Sequence, residues 1–88
     1  MMKVTVSGHN LEVTPALRTY AEKKVGRIEK LLGVGGSEPA ATVKMRTERG
    51  RHIVEITVSS QGLLVRGEAR TNDMYASVDE AVDNIERQ

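Results

Sequence analysis

Lys23, Lys24, Arg27 and Lys30 stand close together in the stretch LRTYAEKKVGRIEKLL, residues 17–32. Ammonium and guanidinium groups three and four residues apart can neutralise a row of phosphates, provided a helix sets them on one side. On a helical wheel of about 100° per residue with Lys23 at the origin, Arg27 and Lys30 fall within about 40° of it. Leu17, Ala21, Val25, Ile28, Leu31 and Leu32 occupy the arc from about 80° to about 200°. Lys24 sits at the border of that arc, where its stem can lie on apolar surface while its ammonium reaches water. Glu22 and Glu29, with Arg18 near them, take the opposite flank. The charges are therefore sorted. A helix built only for solubility tends to interleave opposite charges at i, i+4, but here Glu22 is followed at that spacing by Gly26, and Glu29 by Gly33. A sorted cationic flank points to a polyanion, nucleic acid above all; a merely solvated face is the plain alternative.

A second helical segment near the C-terminus is sorted too. Asp79, Asp83 and Glu86 form one stripe, while Ser77, Glu80, Asn84 and Arg87 line another flank. If the latter flank faces the first helix, the groove between the helices is basic to neutral and the acids lie outside. Further cations, Lys44, Arg46, Arg49, Arg51, Arg66 and Arg70, fall on strands or a turn. They form either a second contact surface or, as the simpler reading, a solvated sheet face.

Other chemistries find little support. His9 and His52 are isolated, no His, Asp or Glu cluster has metal-ligand spacing, and there is no cysteine. The glycine-rich GVGGS follows a helix and precedes a strand, the reverse of a phosphate-cradling loop. Ser59 and Ser60 have no base nearby in sequence. The expectation is a protein that is not an enzyme, with no metal, cofactor or small-molecule substrate.

The chain has 88 residues, which predicts one domain over 1–88 with a modest core. Its only aromatic residues are Tyr20 and Tyr75, so the core must be aliphatic. No apolar run approaches a membrane span of roughly 18 residues, and the N-terminus carries no signal-peptide core. A soluble, cytoplasmic protein without a membrane partner is expected. Net charge is only +1, but residues 1–70 hold 12 Lys/Arg against 7 Asp/Glu, and residues 71–88 hold 1 against 5. A basic body meets an acidic tail.

Alternation in KVTVSG, ATVKMRTE, HIVEITVSS and LLVRGEAR predicts four strands, with turns at RGR and QG. Thr14 and Pro15 start the first helix, expected to run to about Leu32 and stop at Gly33, followed by a loop through GVGGSEPA. Asn72 or Asp73 caps the second helix, which runs to Gln88 with Met74, Val78, Ala81, Val82 and Ile85 at helical spacing. The order is β-α-β-β-β-α. The last three strands form an antiparallel meander, and the first pairs with the second in parallel through a crossover helix. The predicted fold is an α+β two-layer sandwich, a four-stranded sheet with two side-by-side helices on one face.

Two long segments, GHNLEVTPALRTYAEKKVGRIEKLL at 8–32 and NDMYASVDEAVDNIERQ at 72–88, resemble the signature segments of the ribosome hibernation promoting factor family, also called ribosome-associated inhibitor or protein Y. The resemblance is collinear over nearly the whole chain and implies the same two-layer fold. It further implies binding to rRNA of the small ribosomal subunit, in the channel where mRNA and tRNA sit, silencing idle ribosomes by steric occlusion in stress and stationary phase. Carried over by position, it marks Lys24, Arg27, Lys30 and Arg87 as RNA-binding; Lys23 rests on the helical geometry. Asn84 stands where relatives usually carry Lys, which thins the basic lining of the second helix. The chain stops at Gln88, where relatives commonly continue into a basic tail, and long members add a C-terminal dimerisation domain. A further C-terminal domain or a homodimer is thus expected in a full-length protein. Two other readings stay open: a protein–protein or dimerisation module that recruits through the acidic stripe and a sheet edge, and a general double-stranded RNA binder.

Overall fold

The computed structural model describes residues 2–32, 39–60 and 62–88. Four strands, β1 (Lys3–His9), β2 (Ala40–Glu48), β3 (Arg51–Ser60) and β4 (Leu63–Thr71), form one sheet in the order β1-β2-β3-β4. β1 runs parallel to β2, and the β2–β3 and β3–β4 pairs are antiparallel. Helices α1 (Pro15–Gly26) and α2 (Met74–Glu86) cover one face, and a 3-10 segment, Arg27–Leu32, continues α1. This is the α+β sandwich and the element order expected from the pattern of the chain. The stop at Gly33 and most of the GVGGSEPA loop lie outside the described residues, as does Gln61 of the QG turn.

Local chemistry accounts for the element ends. The Thr14 side chain accepts a hydrogen bond from the Leu17 amide at 3.1 Å, and Pro15 fills the first helical position, where no amide is needed. Asp73, rather than Asn72, caps α2 by accepting from the Ala76 amide at 3.0 Å. Between β2 and β3 the chain reverses through Arg49 and Gly50, at φ 49° and 79°. Two left-handed residues in a row give the turn whose twist matches an antiparallel hairpin, and glycine takes the second place without strain.

Strand alternation sends Val6, Ala41, Val43, Met45, Val54, Ile56, Val58 and Ala69 to the helix side, where they are buried. They meet Leu17, Ala21, Val25 and Ile28 from the first helical stretch and Met74, Val78, Ala81, Val82 and Ile85 from α2. At Gly67 the two layers come unusually close. A Cβ there would lie 2.6 Å from Ile85 Cγ1 and 2.7 Å from the Ala81 carbonyl. Ser77, a buried polar residue of the helix-side core, donates to the His52 carbonyl at 2.6 Å and so fastens α2 to β3.

The single helix expected from Pro15 to about Leu32 is corrected in one respect. Past Gly26 the winding tightens, and the Arg27 amide reaches back three residues to the Lys24 carbonyl. Glycine costs about 1 kcal/mol of helix stability relative to alanine, and 3-10 turns are a common way for an α-helix to end. The open sheet face also holds a surprise. Ile53 faces away from the helices yet is 0% exposed. The strand register flanks it with Arg46 and Arg70, whose aliphatic stems are placed to cover it.

Candidate RNA-binding surface on the helix pair

Core packing decides which flank of α1 meets α2. With Leu17, Ala21 and Val25 pressed onto the sheet, Arg18 turns toward β1, where its guanidinium donates to the Val6 carbonyl at 3.3 Å. The cationic flank turns the other way. Lys24 and Arg27, with Asp79, Val82 and Asp83, line a groove of about 230 Å³ between the helices. Lys23 and Lys30 are exposed beside it.

The expected polarity of the groove is overturned. It is the acidic stripe of α2 that faces α1, and the other flank looks elsewhere: Ser77 toward β3, and Asn84 toward β4, donating to the Glu68 carbonyl at 3.0 Å. Lys24 Nζ lies 3.8 Å from Asp79, and the Arg27 guanidinium 3.8 Å from Glu86. Val78, Ala81, Val82 and Ile85 must point into the core, and that fixes Asp79 and Glu86 beside the neighbouring helix. The groove is therefore mixed in charge rather than basic to neutral. Arg87 follows α2 and is exposed, with its guanidinium 2.5 Å from Asn84 Oδ1. The structure thus brings Lys24 and Arg27 together in the groove, leaves Lys23 and Lys30 exposed, and sets Arg87 outside the residues that line it.

Distance separates two kinds of ion pair. On the open sheet face, Arg46 meets Glu48 at 2.9 Å and Arg66 meets Glu55 at 2.8 Å, both at hydrogen-bond distance. Arg46 holds the Glu48 carboxyl below the usual carboxylate range, mainly through that hydrogen bond. Arg46 and Arg66 are therefore engaged. The helix-side pairs, at 3.8 Å, lie beyond hydrogen-bond distance, and the Arg27 side chain is exposed. Exposed pairs of that geometry contribute about 0–1 kcal/mol, so an incoming phosphate can displace the acid at little cost.

Two residues at the groove were not singled out by charge patterning. The Tyr20 hydroxyl donates to both Asp79 carboxylate oxygens, at 2.7 and 2.8 Å, and Lys24 Nζ stands 5.5 Å from the Tyr20 ring centroid. Tyr75 and Tyr20 form a T-shaped pair, with centroids 5.0 Å apart at an interplanar angle of 76°. The scarcity of aromatic residues was the available signal, since a chain with two that spends both beside one cationic cluster marks that place. The hydrogen bond to Asp79, helped by partial burial and by the Asp79 charge, raises the Tyr20 phenol above its ordinary value. A raised pKa stabilises the fold fully below the free-tyrosine value near 10, and that contribution is lost as pH rises through the shifted value. In a Tyr75→Phe background, where Tyr20 alone absorbs as phenolate, the alkaline absorbance midpoint is expected above about 10. Adding Asp79→Asn should bring it down; an unmoved midpoint would show that Asp79 does not hold the proton.

Among the described residues no group of three or more His, Cys, Asp or Glu could hold a metal, and no helix is long and apolar enough to cross a membrane. The chain is thus a two-layer α+β domain with an open groove of mixed charge between its helices. The sequence model of the sigma 54 modulation protein / S30EA ribosomal protein family matches residues 4–88, and the chain belongs to that family, which is not one of enzymes. It is 37% identical over 89 residues to the ribosome hibernation promotion factor of Lactococcus lactis subsp. cremoris (strain MG1363), covering 100% of this chain and 48% of the relative. It is also 37% identical over 87 residues to the ribosome hibernation promoting factor of Azotobacter vinelandii, covering 99% of this chain and 78% of that one. The chain thus spans about half the length of the Lactococcus relative. Among solved structures, the Thermus thermophilus protein Y N-terminal domain superposes with a TM-score of 0.82 at 37% identity, covering 99% of this chain and 92% of that one.

Proposed function

We propose that this chain is a ribosome hibernation domain of the cytoplasm. In this reading it binds rRNA of the small ribosomal subunit in the mRNA and tRNA channel and silences translation by occupying that space. The contacts are phosphates held by Lys23, Lys24, Arg27 and Lys30, with Arg87 as an outlying fifth. One observation carries the reading: Lys24 and Arg27 on the helix side are paired only at 3.8 Å, while Arg46 and Arg66 on the sheet are held by glutamates at hydrogen-bond distance. The names of the relatives support a ribosomal target. A protein–protein module recruiting through the acidic stripe is less well supported, since Asp79 and Glu86 face α1 rather than a partner.

Salt dependence of co-sedimentation with purified small subunits tests the proposal. Each neutralised phosphate contributes a log–log slope of roughly −0.7 to −0.9, so four contacts predict an affinity loss of roughly 50–150-fold between 50 and 200 mM salt. A change of less than about threefold would leave room for one phosphate at most and would overturn the reading. A dimer by light scattering together with salt-insensitive binding would favour the protein–protein module instead.

A further inference from the structure

We propose that Tyr75 is a stacking platform for an unpaired RNA base, set beside the cations that hold the RNA backbone. The inference rests on the RNA-binding reading and adds to it a contact of different chemistry. Tyr20, the other aromatic residue, is committed to the fold, being half-buried with its hydroxyl bound to Asp79. Tyr75 is not. It is the second residue of α2, its surface is 38% exposed, and its hydroxyl has no hydrogen-bond partner among the described residues.

The ring is nevertheless held in place. Its edge-to-face contact with Tyr20, itself anchored through Asp79, restricts its orientation before any ligand arrives. A ring ordered in advance loses little entropy on binding. Its position is also informative. The Tyr75 centroid lies 5.0 Å and Lys24 Nζ 5.5 Å from the same Tyr20 ring. An aromatic ring and an ammonium gathered around one anchor present the two things a nucleotide offers, a π-face and a phosphate. The ligand so recognised is single-stranded or looped RNA, because a duplex keeps its base faces stacked inside. Stacking tolerates any base, so no sequence preference follows.

The test compares Tyr75→Ala, Tyr75→Phe and Tyr75→Leu for small-subunit co-sedimentation and, in parallel, for binding of a short single-stranded oligoadenylate carrying a terminal fluorescein, read by fluorescence anisotropy. Circular dichroism confirms that each variant is folded. Tyr75→Ala is expected to weaken binding about 5- to 150-fold, the worth of one stacked base. Tyr75→Phe should stay within about twofold of the parent, because it keeps the ring. Tyr75→Leu should behave like alanine. None of these changes should alter the salt slope, whereas Lys24→Ala should reduce it by about one phosphate contact. Parent-like binding by Tyr75→Ala, or equal binding by the leucine and phenylalanine variants, overturns the proposal. If the parent fails to bind subunits but binds oligoadenylate in a Tyr75-dependent way, the ribosomal target falls and the stacking role stands. Loss of both defeats both.

Discussion

Replacing Lys24, Arg27 and Lys30 together with alanine is expected to lower affinity for the small subunit about 100- to 500-fold at 0.1 M salt, the counterion-release contribution of three phosphate contacts. The salt slope should fall with it, to about that of the remaining contacts. Two effects act in the same direction. The variant loses its cations, and it leaves Asp79, Asp83 and Glu86 uncompensated along α2, so that the groove repels phosphate. The fold should survive, because the ion pairs removed are 3.8 Å long and surface pairs contribute little to stability. Arg46→Ala with Arg66→Ala provides the comparison. Both residues are held by glutamates on the sheet face, and their loss should leave subunit binding within about threefold. Unchanged co-sedimentation of the helix-side triple variant, or an equal loss from the sheet-face pair, would remove the helix surface from the proposed interface.

Gly67→Val should be the most damaging single change to the fold. The Cβ alone would stand 2.7 Å from the Ala81 carbonyl and 2.6 Å from Ile85 Cγ1. The isoleucine can turn aside, but the helix backbone cannot, so α2 must lift from β4. Overpacking of a tight core costs about 1–3 kcal/mol, and contact with main chain places this case toward the upper end. For a domain of this size, about 2–3 kcal/mol corresponds to a fall in Tm of roughly 10–20 °C. Valine is a good strand residue, so propensity pulls weakly the other way. A thermal melt within about 2 °C of the parent would mean that the layers can separate at little cost.

Much of the sandwich could be read from residues alone. Alternation at Val43 and Met45, and at Val54, Ile56 and Val58, identified the strands and their inward faces. The Thr14–Pro15 start and the apolar stripe of α2 were equally clear. What escaped the sequence has definite causes. A helical wheel gives angles within one helix, but not which flank meets a neighbour; that depends on where the next helix lies over the sheet. The acids of α2 were therefore assigned to the wrong side of the groove. Alternation likewise sends Ile53 to the open face, and only the cross-strand register reveals the arginines that flank it. Tyr75 was visible as a letter, but its partnership with Tyr20 joins residues far apart in the chain.

The change of winding after Gly26 governs the phase of the charges that follow. An α-helix turns about 100° per residue, so positions three apart drift by about 60°. A 3-10 helix closes in three residues and rises about 2.0 Å each, so such positions eclipse about 6 Å apart. Arg27 and Lys30 are such a pair. They stand one above the other like teeth on a comb instead of splaying around a barrel, and any change that let α winding run on past Gly26 would swing Lys30 out of line with Arg27. The glycine sets the pitch of the cationic row without contributing a side chain to it.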